Sequence, residues 1–249
     1  MSNAATAVTE NINEEKLSMA LASNEGAGKQ SLLPCNIKAD DLRHVYGVFS
    51  GELIPKEVME SLGRQYTEKL IMVVKQHGET QEKAIINEKA VREEKFEDYV
   101  KTLLLKSIGE DEDVSVSRRV VCCKLVSIMI RLYKIRASEV RKQTCFADEQ
   151  EDVRKWILSN FFVGEKRNRQ MPKKFKDKAL GMAIVLVWSC FKFSFPAEEM
   201  EAAFNISPKD FSIITKCLFG KVITVKSHNM RKCMITFPLK FPNNYKIRK

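Results

Sequence analysis

A chain of 249 residues, 44% hydrophobic and 30% charged, is long enough for one large domain or two ordinary ones, and its balance excludes a wholly disordered or membrane-embedded protein. Ten glycines and seven prolines are too few for a sandwich of many short strands, so helices should dominate. The net charge of +10 is uneven: residues 1–110 hold 14 basic and 18 acidic side chains, whereas 111–249 hold 28 and 14, a balance that draws the C-terminal half toward polyanions.

In chain order, residues 1–30 are small and polar and read as a flexible tail. Gly26-Ala27-Gly28-Lys29-Gln30-Ser31 fails as a phosphate loop, because Ser23 stands where the pattern needs Gly and Gln30 where it needs a hydroxyl. No basic, apolar secretory leader is visible, and the longest apolar run stops at Lys192, so the expectation is a soluble intracellular protein. Residues 31–89 are predicted to form an extended strap with one helix. Its isolated anchors are Leu32, Leu33, Pro34, Val45, Tyr46, Ile54 and Pro55, with Pro55 opening a helix that runs to about Val74. Gln76 to Glu94 is crowded with Lys and Glu and reads as a solvated helix or linker.

Three amphipathic helices are predicted next, on Phe96-Tyr99-Val100-Leu103-Leu104, on Val121-Leu125-Ile128-Met129-Leu132 and on Val153-Trp156-Ile157-Phe161. A second unit opens with a deeply buried helix over Phe175 to Cys190. Another helix follows Pro196, with Glu198 and Glu199 in its first turn. Ser207-Pro208-Lys209-Asp210 supplies a hydroxyl cap, Pro at the first position and an acid three residues on; the helix should run to Phe219 and end at Gly220. Val222–Lys226 and Met234–Leu239 are β-prone runs flanking a polar tip. Three helices and a hairpin is the winged-helix order. The predicted fold is mainly α with small β wings: a tandem winged-helix domain with units at 90–170 and 171–249, preceded by the extended linker.

The densest basic stretch, Lys166, Arg167, Arg169, Lys173, Lys174, Lys176 and Lys178, joins the two units and is a candidate for phosphate contact. Lys209 and Lys216 share the face of the third helix opposite Phe211 and Leu218, and Lys226, Arg231 and Lys232 fall on the wing. No Asn or Gln stands in a base-reading pattern, so binding should be independent of sequence. Seven cysteines without a CxxC pair suit reduced thiols, and three distant histidines give a metal site no support. No catalytic residue and no cofactor are expected.

The order Leu32-Leu33-Pro34, Val45-Tyr46, Ile54-Pro55, then Lys176-Asp177-Lys178 before the long apolar helix, then Phe237-Pro238-Leu239-Lys240-Phe241-Pro242, resembles the forty-nine-kilodalton-type subunit of RNA polymerase I over residues 31–249. The resemblance implies a non-catalytic, nucleolar polymerase subunit. Its tandem winged helices would hold DNA beside the cleft in initiation and elongation on ribosomal RNA genes, and its linker would contact the other polymerase subunits. That family carries an N-terminal β-rich domain that dimerises with a smaller subunit. Only about 30 polar residues precede Leu32, which leaves such heterodimerisation open. The alternatives are a free-standing winged-helix DNA-binding regulator and a winged-helix scaffold that contacts only protein.

Overall fold

The computed structural model describes residues 32–36, 38–39, 41–75, 82–106, 114–165, 168–191, 193–225, 230–236 and 239. The tail at 1–30 lies outside them, as does most of the Phe237–Pro242 stretch. The N-terminal segment packs on the chain itself. Leu33, Val45, Tyr46 and Ile54 are all buried, Leu32 and Pro55 are half-buried, and only Pro34 faces solvent. A short helix α1 (Leu42–Val45) is capped by the Asp41 carboxylate, which accepts the Arg43 N–H at 2.9 Å. The segment is also tied to the far end of the sequence. Leu32 N–H donates to the Cys217 carbonyl at 3.2 Å, and the Tyr46 hydroxyl donates to the Leu218 carbonyl at 2.5 Å. A Cβ on Gly181 would lie 2.8 Å from Leu32 Cδ2, so glycine permits this contact. The buried anchors therefore belong to the chain's own core rather than to an outside surface.

Helix α2 (Lys56–Leu70) starts after Pro55 as expected but stops short of Val74. Ile71 is already extended and opens strand β1 (Ile71–Lys75), which pairs antiparallel with β2 (Glu82–Ile86) from Ile71↔Ile86 outward. The run Ile71-Met72-Val73-Val74 extends the apolar pattern of the helix, but its β-branched residues pack better in a ladder. The solvated stretch expected over 76–94 thus contains a strand and, after the Asn87 cap, helix α3 (Glu88–Glu93).

Helices α4 (Asp98–Lys106), α5 (Val116–Lys134), α6 (Ala137–Val140) and α7 (Glu151–Phe161) follow, the longer ones where periodicity places them. Helix α5 buries every residue from Arg119 to Ile130, and α8 (Lys173–Cys190) buries every residue from Ala179 to Cys190. A helix buried on all sides needs neighbours on all sides. These two supply them for each other, forming the most extensive helix pair in the structure. One core therefore runs through both the 90–170 and 171–249 ranges.

After α8 come β3 (Ser194–Pro196), α9 (Ala197–Phe204), α10 (Pro208–Cys217), β4 (Lys221–Val225) and β5 (Met230–Met234). They form an antiparallel sheet in the order β3-β5-β4. Strand β3 has no counterpart in the sequence reading, and β5 begins four residues before the expected Met234–Leu239. The ladder runs from Val225↔Met230 to Lys221↔Met234, and it turns Cys233 inward and fully buried. Tertiary pairing here overrides the weak strand propensity of Arg231-Lys232. The described residues of 90–170 contain no strand pair beyond the isolated bridge Val163↔Gln170. The described structure is thus mainly helical with small antiparallel sheets, and none of its helices is long and apolar enough to cross a membrane.

The end of α10 differs in one instructive way. Cys217 closes the helix, and Phe219, not Gly220, takes the left-handed backbone at φ 58°. Gly220 serves close approach instead, since a Cβ there would lie 2.7 Å from Trp188 Cζ2 and 3.0 Å from Thr215 Cγ2. Gly220→Val is expected to destabilise by roughly 1–3 kcal/mol through overpacking, measured by urea unfolding. An unchanged midpoint would show that the indole can move aside.

Candidate nucleic-acid interface

The basic stretch lies between α7 and α8, and its described ends are held together by backbone hydrogen bonds. Val163 and Gln170 exchange two backbone hydrogen bonds of 2.9 and 2.8 Å, and Asn168 N–H donates to Glu165 O at 3.0 Å. Gly164 adopts φ 76°, and a Cβ there would strike the Asn168 carbonyl at 2.7 Å. Lys166 and Arg167 lie outside the described residues. Arg169 is half-buried beside Cys145, whose thiol burial pushes up while Arg169 pulls it down.

Pro172 then starts α8, whose first turns carry the next four lysines. Lys173 and Lys174 are exposed, with Lys174 Nζ 5.2 Å from the centroid of the Phe175 ring. Lys176 and Lys178 are half-buried. Lys178 Nζ lies 5.2 Å from the centre of the Phe161 ring, and burial pushes its pKa below the ordinary lysine range. Lys178 is thus partly spent on packing α8 against α7, leaving Lys173 and Lys174 exposed and Lys176 half-exposed as the outward charges.

Helix α10 presents the expected face. The Ser207 hydroxyl accepts the Asp210 N–H at 3.1 Å and donates to the Asp210 carboxylate at 2.7 Å. Phe211, Ile214, Thr215 and Leu218 point inward, Ser212 and Ile213 are half-buried, and Lys209 and Lys216 are exposed. The start of α10 lies near that of α8. Burial raises the Asp177 carboxyl, Lys173 lowers it and Asp210 raises it again. Two carboxylates therefore lie among the lysines, which reduces the local positive field without reversing it.

The wing residues divide. Lys226 lies outside the described residues, and Lys232 is half-buried. Arg231 is committed within the chain: its guanidinium donates to both Glu201 oxygens at 3.0 and 2.5 Å, and its backbone N–H donates to Glu198 at 2.6 Å. Glu201 is buried, so this fork fixes β5 to α9 and withdraws Arg231 from any phosphate. Arg231→Met should lower stability by roughly 2 kcal/mol, as for a lost charge-assisted hydrogen bond, and leave any salt dependence of duplex binding unchanged. A flattened salt slope in that variant would return Arg231 to the interface.

The structure adds basic residues that the sequence reading passed over. Lys134 and Arg136, at the end of α5, are exposed, as are Arg141 and Lys142 beyond α6. Tyr133 ties this stretch to the same region, its phenol raised by burial and by the charges of Asp177 and Asp210. A charge count over 131–142 marks this stretch in the sequence; the apolar spacing of α5 masks it. All the described cysteines are free, and among the described residues no group of His, Cys, Asp or Glu is placed to hold a metal ion.

A family model described as A49-like RNA polymerase I associated factor matches residues 1–247, so the match includes the N-terminal 30 residues as well. No curated protein matches the chain.

Proposed function

The chain belongs to the family of A49-like RNA polymerase I associated factors, and from that premise we propose that it is a non-catalytic subunit whose C-terminal part holds DNA beside the polymerase cleft. It would act in the nucleolus, in initiation and elongation of ribosomal RNA. The observation that carries this reading is the arrangement over 173–234: helix, strand, two helices and a hairpin, with sheet order β3-β5-β4 and exposed lysines on α8 and α10. That order supports the winged-helix reading, in which α10 would be the groove-facing helix. The hairpin β1–β2 beside α2 is the corresponding candidate for an N-terminal unit, and it lies ahead of residue 90. The chemistry is phosphate neutralisation by Lys173, Lys174, Lys176, Lys209 and Lys216, with Lys166, Arg167 and Lys226 as further candidates.

The test is duplex binding by the full chain across a salt series. Replacing Lys173, Lys174 and Lys176 by Glu should weaken every duplex alike, roughly a hundredfold near 0.1 M salt, and flatten the log–log salt slope by about 2–3. An unchanged slope would remove these residues from the interface. The fork that neutralises Arg231, together with Asp177 and Asp210 among the lysines, favours a second reading: a scaffold that contacts protein alone. That reading requires wild-type protein to show no salt-dependent DNA binding at all.

A further inference from the structure

The geometry points to a second binding site, lined by none of the lysines of α8 and α10, that takes an acidic peptide segment of a protein partner with one apolar anchor residue. A cavity of about 330 Å³ opens between the N-terminal segment, α2 and the start of α5. That is the small end of the roughly 300–1,000 Å³ range of ligand pockets, suited to one or two side chains. Its floor is apolar, made by Val48, Ile54 and Val121, all buried. Gly63 leaves one wall open, since it contributes no side chain.

The rim supplies the charge. Lys56 and Arg118 stand on it against the single carboxylate of Glu60, and the Arg118 guanidinium lies 5.1 Å from the centroid of the Phe49 ring. The nineteen-residue α5 begins at this rim and has no acidic side chain in its first turn. Its N-terminal turn is capped by the Ser115 hydroxyl, which accepts the Arg118 N–H, and it brings Ser117 and the Arg118 side chain to the cavity wall. An apolar floor under a positive rim is complementary to an aliphatic or aromatic side chain flanked by Asp and Glu. Nucleic acid suits the rim but has no apolar side chain for the floor.

The full chain is titrated with a fluorescein-labelled peptide, Asp-Glu-Asp-Phe-Leu-Asp-Glu-Asp, and separately with duplex DNA. Wild type should bind the peptide at micromolar concentrations. Lys56→Glu with Arg118→Glu should weaken it at least tenfold. Gly63→Met should do the same by filling the cavity. Gly63→Ala should not, because a Cβ there meets only Val121 Cγ2 at ordinary contact distance, 3.8 Å. Duplex affinity should stay unchanged in all three, which separates this site from the proposed DNA contacts. Should the charge-reversed variant not fold, Gly63→Met against Gly63→Ala decides alone. Absence of peptide binding by wild type, equal binding by Gly63→Met, or displacement of the peptide by duplex would overturn the proposal.

Discussion

Glu149→Leu is expected to destabilise the protein by about 3–5 kcal/mol, the loss typical of breaking one partner from a buried ion pair. Lys124 lies in the middle of α5, buried, and its Nζ donates to Glu149 Oε1 at 2.9 Å while standing 5.0 Å from the centroid of the Tyr66 ring. The Glu149 side chain is 3% exposed, and Arg131 reaches the same oxygen at 3.8 Å while bonding Asp148 at 2.6 Å. Arg131 also covers the Phe146 ring, 4.3 Å from its centroid. Without Glu149 the ammonium remains inside with no countercharge. Burial pushes the Lys124 pKa down, but the Glu149 charge and hydrogen bond outweigh it, so the native value lies above the ordinary 10.5. A raised lysine pKa stabilises fully below the unfolded value and loses that contribution as pH climbs through the folded one. Wild type should therefore lose stability above about pH 10.5, and Glu149→Leu should lack this alkaline step. The double variant Lys124→Met with Glu149→Leu should recover most of the loss, because an apolar pair of similar volume has no charge to bury. Guanidinium unfolding across pH measures all three; a double variant no better than the single would place the cost in packing rather than charge.

The helices were legible wherever spacing and caps agreed. Ser207, Pro208 and Asp210 mark the start of α10, and the inward set Val153-Trp156-Ile157-Phe161 marks α7. What escaped depends on partners distant in sequence. Nothing local ends α2 at Leu70, because Ile71 to Val74 continues its apolar run, and only the pairing with Glu82–Ile86 makes a strand of it. The charge asymmetry marked the C-terminal half as basic by segment. It could not show that Arg231 would be taken by Glu201, thirty residues away, or that Lys178 would pack over Phe161. The strap anchors were expected to pin the segment on another surface; Leu33, Val45, Tyr46 and Ile54 are buried in the chain itself, and local sequence carries no information on whose surface buries them. The bond from Tyr46 to the Leu218 carbonyl spans 172 positions, and no window sees it.

Trp188→Ala should lower stability by about 3–5 kcal/mol, and the way it does so bears on whether the N- and C-terminal halves act as separate domains. Trp188 is 2% exposed near the end of α8; its Nε1–H points at the Cys233 carbonyl of β5 at 3.5 Å, and its ring fills the space left by Gly220. Truncation leaves a cavity beneath the C-terminal sheet alone. Two independent domains would respond with a split unfolding curve, the C-terminal half melting first. The extensive α5–α8 contact and the N-terminal segment bonded to Cys217 and Leu218 argue for the opposite outcome. Circular dichroism at 222 nm should report one transition, shifted to lower denaturant with its slope unchanged. Trp188→Phe should lose less, since a ring still fills most of the space. A biphasic curve for Trp188→Ala would mean that the helix pair does not couple the halves. The exposed lysines of α8 and α10 would then sit on a unit able to unfold alone.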